Sequence, residues 1–369
     1  MSADRLSEDA RFMRLAFALG RRGLGHTWPN PAVGAVLVKD GVVVGRGSTQ
    51  WGGRPHAEVE ALRHAGAAAR GATMYVTLEP CAHHGKTPPC TDAIVTAGVV
   101  RVVAAMEDPN PEVAGGGFRR LREAGVAVDL GLGADEARRD HAGHIRRMRD
   151  GRPHVTLKLA VSADGKAGFA GRLPAVITGE LSRTHVHRLR AMNDAILIGI
   201  GTALADDPTL TCRLPGMEQY SPVRVVLDAH LRLPLTSRLV ATARETPLWV
   251  IAGEDAPREN EDALRAHGAD VLRIPAQEGR VDLAALLKTL GERGITRLMV
   301  EGGPIVAASF LAADLVDAAM VLHGPGRIGN DGIDALEGMP LSAIGAPALV
   351  SQGIERVGDD KIETFERAH

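Results

Sequence analysis

The positions of His56, Cys81 and Cys90 constrain the fold of this chain more than any other feature of its sequence. One imidazole and two thiolates can hold a zinc ion by three bonds, and a fourth tetrahedral position left open for water is typical of a catalytic site. Each of the three residues also lies at the predicted end of an element. His56 begins a helix, Cys81 follows the strand 75–80, and Cys90 comes directly after two prolines at the start of another helix. The fold must therefore bring two helix starts and one strand end together.

Glu58, two residues after His56, is predicted to move protons rather than to bind metal. The pattern H-x-E followed by P-C and a second cysteine is the signature of zinc deaminases. That signature usually has two residues between the cysteines, whereas this chain has eight, residues 82–89. Doubling the length of a loop costs only about 0.6 kcal/mol, so the longer spacer still allows the ligands to converge. Bound zinc lowers the pKa of water from about 15.7 toward about 7, and Glu58 would pass protons to a ring nitrogen and to the leaving ammonia.

Other interpretations of these residues remain open. The cluster could be a structural zinc site with His83 or His84 as a fourth ligand, or it could bind no metal. We expect His83 and His84 to be loop or substrate-contacting residues instead. Asn30, between two prolines, either hydrogen-bonds the edge of a base or simply forms a turn.

The length of 369 residues predicts two domains, because one hydrophobic core rarely grows so large. A basic segment predicted to be helical, 137–149, runs into Asp150-Gly151-Arg152-Pro153, where a glycine and a proline end the helix. We therefore expect domains over residues 1–150 and 151–369. Strand-like and helix-like segments alternate in both, which predicts α/β folds. Within the first, Asp40-Gly41 separates two apolar runs and predicts a β-hairpin.

Composition argues against several classes of protein. The 43 basic and 45 acidic residues leave no basic excess, and aromatic residues make up only 3%, so a dedicated nucleic-acid binder is not expected. The acidic N-terminus lacks the apolar stretch of a signal peptide, and no apolar run is long enough to cross a membrane. Three cysteines are too few for a disulfide scaffold, which favours metal binding or catalysis for two of them and a core position for Cys212. The expectation is a cytoplasmic enzyme.

Four segments of the first half resemble the deaminase half of the bifunctional riboflavin biosynthesis enzymes. They are Pro29–Gly34, His56–Val59, Thr77–Cys90 and Asp108–Gly115. The eight-residue spacer between the cysteines is that family's own version of the motif. The resemblance implies a three-layer fold like that of cytidine deaminases, with one zinc ion bound by His56, Cys81 and Cys90 and with Glu58 as the catalytic residue.

The second half is similar to the reductase domain of the same family, in segments 157–165, 195–202, 205–213 and 300–304. The resemblance implies a dihydrofolate-reductase-like fold and two consecutive reactions. The first is deamination of 2,5-diamino-6-ribosylamino-4(3H)-pyrimidinone 5′-phosphate. The second is reduction, by NADPH, of the ribose of 5-amino-6-(5-phosphoribosylamino)uracil to a ribityl chain. It also implies small-molecule phosphoribosyl pyrimidine substrates, no nucleic-acid or membrane partner, and a homo-oligomer, either a dimer or larger.

The resemblance further implies roles for individual positions. The cofactor-contacting positions are Val161, Val176, Thr202, Asp206, Gly303, Pro304 and Ser309. The substrate-contacting positions are Asn30, Pro174, Arg190, Leu210, Arg213 and Glu301. Arginine suits a phosphate group and a carboxylate suits sugar hydroxyls. Leu210 could instead belong to the core, and Arg190 could be a solvated helix residue.

The chain departs from the family pattern at four reductase positions. Val176 stands where tryptophan is usual, Pro174 where serine is usual, Ala229 where serine is common and Ala163 where leucine is typical. The loss of the aromatic ring removes a packing surface for the cofactor, while the polar framework is kept.

Two other functions are possible if the resemblance to the riboflavin biosynthesis enzymes does not reflect the function of this chain. The first is a deaminase of nucleic acids or free nucleosides joined to an unrelated domain, and the second is a zinc-stabilised binding protein without catalysis. The second rival requires a metal site saturated by four protein ligands.

Overall fold

The structure is a computed structural model that describes residues 3–83, 85, 87–111, 113–345 and 348–368, and for residues 3–6 the backbone alone. The contacts divide the chain into two compact units, Met1–Arg152 and Pro153–His369. No helix in the described ranges combines the length and the apolar character needed to cross a membrane.

The first unit alternates strands and helices around one sheet. Its elements are α1 (Ala3–Arg21), β1 (Gly34–Lys39), β2 (Val42–Ser48), α2 (Ala57–Ala65), β3 (Thr73–Val76), α3 (Cys90–Thr96), β4 (Arg101–Ala104), α4 (Gly116–Glu123), β5 (Ala127–Leu130), α5 (Ala134–Asp140) and α6 (Ala142–Asp150).

The five strands of this unit form a sheet in the order β2-β1-β3-β4-β5. The predicted hairpin is confirmed, because β1 and β2 pair antiparallel with Lys39 opposite Val42. Alternate residues of β1 enter different cores: Leu37 packs with α2, α3 and α4, whereas Val36 packs with α1 and α5. Side chains of a strand alternate between its two faces, so this division makes a three-layer unit with helices on both sides of the sheet.

The second unit is built on a larger sheet. Its elements are β6 (His154–Val161), β7 (Lys166–Gly168), α7 (Glu180–Ala191), β8 (Ala195–Gly199), α8 (Ile200–Asp206), β9 (Val223–Leu227), α9 (Arg238–Ala241), β10 (Leu248–Ala252), α10 (Arg258–Ala266), β11 (Asp270–Arg273), β12 (Ala276–Gln277), β13 (Arg280–Val281), α11 (Leu283–Glu292), β14 (Arg297–Val300), α12 (Pro304–Ala312), β15 (Ala318–His323), β16 (Ile333–Asp334), β17 (Leu349–Val357) and β18 (Asp360–Arg367).

Nine of these strands form one sheet in the order β11-β10-β9-β8-β14-β6-β15-β18-β17. The strands from β11 to β15 run parallel, and β18 and β17 are added antiparallel at one edge. The parallel strands therefore end on the same side, where open α/β sheets bind their ligands.

The segment predicted as one helix, 137–149, is two helices in the structure. The break lies at His141, which ends α5 and precedes α6. Its buried imidazole reaches the centre of the unit, with Nε2 3.2 Å from Thr77 Oγ1. We attribute the break to this inward-directed side chain, which a continuous solvent-facing helix would not accommodate.

Candidate active sites

His56, Cys81 and Cys90 converge in the first unit as predicted. Their ligand atoms all lie within 4.8 Å of one another, with Cys90 Sγ 3.3 Å and Cys81 Sγ 3.7 Å from His56 Nδ1. Within the described residues, His83 is not part of this group, and His84 lies outside them. The structure thus brings together three potential ligands, as an open catalytic site requires.

The local fold explains this convergence. His56 is the residue preceding α2, and Cys90 is the first residue of α3. The backbone N–H of Cys90 donates to Cys81 Sγ across 3.3 Å, which ties the two ends of the spacer together. Hydrogen bonding to Cys90, opposed by burial, lowers the pKa of the Cys81 thiol below its ordinary value. One nitrogen and two sulfur donors, one of them readily deprotonated, fit a zinc ion.

Glu58 lies in the first turn of α2, next to the metal-ligating group. The residue is only 4% exposed, and burial raises the pKa of its carboxyl above the ordinary value. A general acid–base works best when its pKa lies near the operating pH, so this environment suits proton transfer.

Glu79 fixes the turn that carries Cys81. Its buried carboxylate accepts hydrogen bonds from the backbone N–H groups of Asp108, Gly115, Gly117 and Phe118, at 2.8–3.2 Å. Gly117 approaches so closely that a Cβ there would lie 2.0 Å from the Pro80 carbonyl oxygen. The sequence motif indicated neither contact, because the four donors lie 29–39 residues further along the chain, in the loop before α4 and in its first turn.

We expect Glu79→Ala to destabilise the first unit by about 3 kcal/mol, because several buried N–H groups lose a charged acceptor. Urea unfolding measures this change. The matched control is Glu123→Ala on the exposed side of α4, with an expected change within about 0.5 kcal/mol. Equal urea midpoints for the two variants would contradict the bracing role of Glu79.

Asn30 braces the loop that precedes His56. Its Nδ2 donates to the Gly53 carbonyl oxygen across 3.0 Å, and its backbone N–H donates to Thr27 in a turn. Arg54, in the same loop, donates to Thr87 Oγ1 of the spacer between the cysteines. The structure thus supports the turn-forming interpretation of Asn30, and its Oδ1 atom is the group left for a ligand.

The second unit contains a cavity of about 1230 Å³ at the carboxyl ends of its parallel strands. Most of the site residues predicted for this unit line it: Pro174, Val176, Arg190, Thr202, Asp206, Arg213, Glu301, Gly303, Pro304 and Ser309. Val161 and Leu210 do not line it, since both side chains are buried in the core. Because the Leu210 side chain is buried, only the backbone of this residue, which has a positive φ of 54°, could approach a ligand.

Glu301 is the centre of a buried ionic cluster in this cavity. Arg190 donates to both Glu301 carboxylate oxygens at 3.0–3.1 Å, and Lys158 Nζ lies 3.1 Å from Oε1. Burial opposes ionisation, but Lys158 and Arg190 together hold the pKa of the Glu301 carboxyl down, at about 2. Glu301 is therefore an anion at every pH at which an enzyme is normally assayed.

The two arginines predicted to contact substrate differ in their freedom to do so. Arg190 is buried and also donates to the Thr211 carbonyl oxygen, so it is not a solvated helix residue. Arg213 is exposed, and within the described part of the chain its side chain makes one hydrogen bond, to Thr209 Oγ1. Arg213 is therefore better placed than Arg190 to bind a phosphate group.

Lys158 was not predicted from the sequence. It lies in β6, on the partly exposed face that alternates with the buried one. A lysine inside an otherwise apolar strand, Leu157-Lys158-Leu159, is the signal that could have indicated it.

The residue at the usual tryptophan position is fully open to solvent. Val176 is 88% exposed in a loop that lines the cavity. Thr202, by contrast, is fixed, because its Oγ1 accepts the backbone N–H of Gly303 at 3.1 Å.

Comparisons with known proteins match both units. Residues 6–106 match the cytidine and deoxycytidylate deaminase zinc-binding region, and residues 153–362 match the RibD C-terminal domain. The riboflavin biosynthesis protein RibD of Escherichia coli is 43% identical over 96% of this chain and 98% of its own length. The chain belongs to the RibD family. The RibD protein of Aquifex aeolicus is 40% identical over 97% of the chain and 98% of its own length.

Solved structures of the RibD family match both units of the chain. Acinetobacter baumannii RibD is 36% identical, with a TM-score of 0.87 over 99% of this chain and all of its own. A Thermotoga maritima enzyme, named as a diaminohydroxyphosphoribosylaminopyrimidine deaminase/5-amino-6-(5-phosphoribosylamino)uracil reductase, is 33% identical over the same shares, with a TM-score of 0.85. This chain is therefore a bifunctional deaminase and reductase of riboflavin biosynthesis, with zinc and NADPH as cofactors. The fold and activities implied by the sequence resemblance are confirmed.

Proposed function

We propose that the two units catalyse consecutive steps on one phosphoribosyl pyrimidine. Residues 1–150 would remove the 2-amino group of 2,5-diamino-6-ribosylamino-4(3H)-pyrimidinone 5′-phosphate. Residues 151–369 would reduce the ribose of the resulting 5-amino-6-(5-phosphoribosylamino)uracil to a ribityl chain. The observation that carries the first step is the group of three metal-ligating atoms within 4.8 Å beside the buried Glu58. The name of the Thermotoga maritima relative supports both substrates.

In the deamination, His56 Nδ1 and the two cysteine sulfurs would hold zinc. When bound, the ion supplies Lewis acidity that makes a water molecule reactive at neutral pH. Glu58 would accept the proton of the attacking water at a carboxylate oxygen. It would pass this proton to a ring nitrogen, then take the second proton of the same water from the added hydroxyl group and give it to the amine, which leaves as ammonia as the C–N bond breaks and the carbonyl forms. The raised pKa of Glu58 supports both proton uptake and proton release.

In the reduction, we assign binding roles to the residues that line the cavity of the second unit. Glu301 and its partner Arg190 would orient the sugar, and the exposed Arg213 would bind the 5′-phosphate. Thr202, Asp206 and the segment Gly303–Ser309 would hold the nicotinamide cofactor. A dinucleotide pyrophosphate suits the start of α12, a nine-residue helix preceded by two glycines.

A coupled assay tests the function. The purified protein, given the diaminopyrimidine phosphate and NADPH, should release ammonia and then oxidise NADPH in equal amounts. Removal of zinc by a chelator should abolish ammonia release but leave NADPH oxidation on the deaminated substrate. Ammonia release without any NADPH oxidation on that substrate would overturn the assignment of the second unit.

We also propose that the protein acts in the cytoplasm as a homo-oligomer. All three cysteines are free thiols, as a reducing compartment would keep them. Light scattering of the purified chain measures the oligomeric state. A molecular mass equal to that of one chain at micromolar concentration would contradict the proposed homo-oligomer.

A further inference from the structure

Arg54 carries a positive charge next to the metal-ligating group of the first unit. It lies two residues before His56, so the Cα atoms of the two residues are at most about 7 Å apart. Its side chain is half-buried, and its hydrogen bond goes to the neutral Thr87 Oγ1. A guanidinium group is always charged in a protein. In the part of the chain that the structure describes, this positive charge therefore has no neutralising partner.

The guanidinium of Arg54 lies across the spacer between the two cysteines. Its Nη1 donates to Thr87 Oγ1, and Thr87 lies three residues before Cys90. A Cβ on Gly85 would lie 3.5 Å from Arg54 Nη2, which is an ordinary van der Waals distance. The guanidinium thus lies beside two points of the spacer, while the backbone of Arg54 leads directly to His56. It is therefore placed between the chain segments that end at two of the three ligands.

The backbone that carries Arg54 is fixed on both sides. The Gln50 N–H donates to the Pro55 carbonyl oxygen at 3.0 Å, and the Gly53 N–H donates to the Gln50 carbonyl oxygen at 2.9 Å. Gly53 has a positive φ of 87°, and a Cβ there would lie 2.2 Å from Asn30 Nδ2, so only glycine fits. A binding group on a fixed backbone loses little conformational entropy when its ligand binds. Arg54 is therefore a preorganised binding group.

The hydrogen-bonding groups around Arg54 suit a phosphate group. Nη1 of Arg54 is used by Thr87, whereas Nη2 and Nε make no hydrogen bond within the described residues and remain for a ligand. These two nitrogens form one edge of the planar guanidinium, and such an edge matches two oxygen atoms of a phosphate. Thr87 is exposed, and its hydroxyl group accepts from Arg54 while its own hydrogen remains to donate. A charged fork beside a hydroxyl donor therefore faces the ligand.

The substrate of the deaminase carries a phosphate away from the carbon that reacts. Deamination requires the amino-bearing C2 of the pyrimidine near Glu58, whereas the ribosyl phosphate is attached through C6 of the same ring. A phosphate dianion is costly to bury without a charged partner, so it lies toward solvent while the ring occupies the buried centre. Glu58 is buried, Arg54 is half-buried and Thr87 is exposed. The change in exposure from Glu58 to Thr87 therefore follows the change in polarity along the substrate.

We propose that Arg54, with the hydroxyl group of Thr87, binds the 5′-phosphate of the deaminase substrate and makes the first unit select phosphorylated over unphosphorylated pyrimidine ribosides. The proposal rests on the deaminase function assigned above and names the groups that recognise one part of that substrate. Because Arg54 acts on the phosphate and not on the reacting carbon, removal of its charge should raise KM and leave kcat unchanged.

Steady-state ammonia release by the full-length zinc protein tests this proposal, with the diaminopyrimidine riboside offered with and without its 5′-phosphate. Arg54→Gln keeps an N–H donor for Thr87 but removes the charge. It should raise the KM of the phosphorylated substrate about 10- to 100-fold and leave kcat and the KM of the unphosphorylated substrate unchanged. Arg54→Lys keeps the charge without the planar fork and should lie in between. The matched control is Arg63→Gln on α2, which removes an exposed arginine paired with Glu60 and should change neither KM.

The outcomes separate this proposal from the function on which it rests. If the unmodified protein releases ammonia from neither compound, the deaminase assignment fails and the proposal with it. If it releases ammonia but Arg54→Gln raises both KM values equally, or changes neither, only the phosphate-binding role of Arg54 is overturned. Ribose 5-phosphate, used as an inhibitor of ammonia release, measures binding directly, and its inhibition constant should rise in Arg54→Gln by the same factor as KM. Metal analysis should find one zinc per chain in every variant, and a loss of zinc in Arg54→Gln would assign Arg54 a structural role instead.

Discussion

Glu58→Gln should lower the turnover number for ammonia release by about 10²- to 10⁴-fold, the usual contribution of a general acid–base group. Glutamine keeps the size of the side chain, so the first turn of α2 and the positions of His56, Cys81 and Cys90 should not change. The amide cannot take a proton from water, and the loss should therefore appear in turnover rather than in the KM for substrate. Ammonia release measured under saturating substrate gives the result.

Two controls show whether the loss is chemical. Metal analysis should find one zinc per chain in both the unmodified protein and Glu58→Gln, because the three ligands remain. NADPH oxidation on the deaminated substrate should also be unchanged, since that reaction belongs to the other unit. Retained deaminase turnover in Glu58→Gln would remove Glu58 from the mechanism, whereas loss of zinc would assign it a structural role.

The metal-ligating group could be predicted because each ligand is marked by its own neighbours. Pro80 before Cys81 and Pro89 before Cys90 signal the end of a strand segment and the start of a helix. The hydrogen bonds that Glu79 accepts could not be predicted. The four N–H donors come after β4, and no pattern in their sequence indicates that Glu79 is the acceptor. Local signals identify the ligands, and tertiary contacts fix their positions.

Strand β17 and helix α1 were not predicted from the sequence. Strand β17 has no local pattern that indicates a strand, whereas α1 has a clear helical pattern. Most residues of β17 are exposed, so the strand lacks the alternation of apolar and polar residues that predicts a β-strand. Helix α1, by contrast, places Phe12, Met13, Ala16 and Phe17 on one buried face. That spacing of three and four residues is a helical signal present in the sequence.

Glu301→Gln should reduce kcat/KM of the reductase by about 30-fold or more, because removing the charge of one member of a buried charge cluster costs roughly 2–5 kcal/mol, and each 1.36 kcal/mol is tenfold in rate. Lys158 and Arg190 would lose the anion that both contact, and Arg190 would no longer be held in a fixed orientation toward the substrate. The second unit should also lose about 3 kcal/mol of stability. NADPH oxidation on the deaminated substrate and urea unfolding measure the two effects.

The control is Asp270→Asn, which breaks an exposed ion pair with Arg293 at 3.6 Å. Exposed pairs contribute about 0–1 kcal/mol, so this variant should unfold and react almost like the unmodified protein. If the two variants are equally active, the Glu301 cluster has no part in the reduction.

The pH dependence of unfolding identifies the charge as the cause. The folded-state pKa of Glu301 is depressed to about 2, below the value of about 4.3 for an unfolded glutamate. Its contribution to stability is therefore fully present above about pH 4.3 and is lost as the pH falls toward about 2. The stability difference between the unmodified protein and Glu301→Gln should accordingly be constant from pH 8 to pH 5 and shrink below about pH 4. A difference that stays constant down to pH 3 would mean that the ionised carboxylate is not what stabilises the cluster.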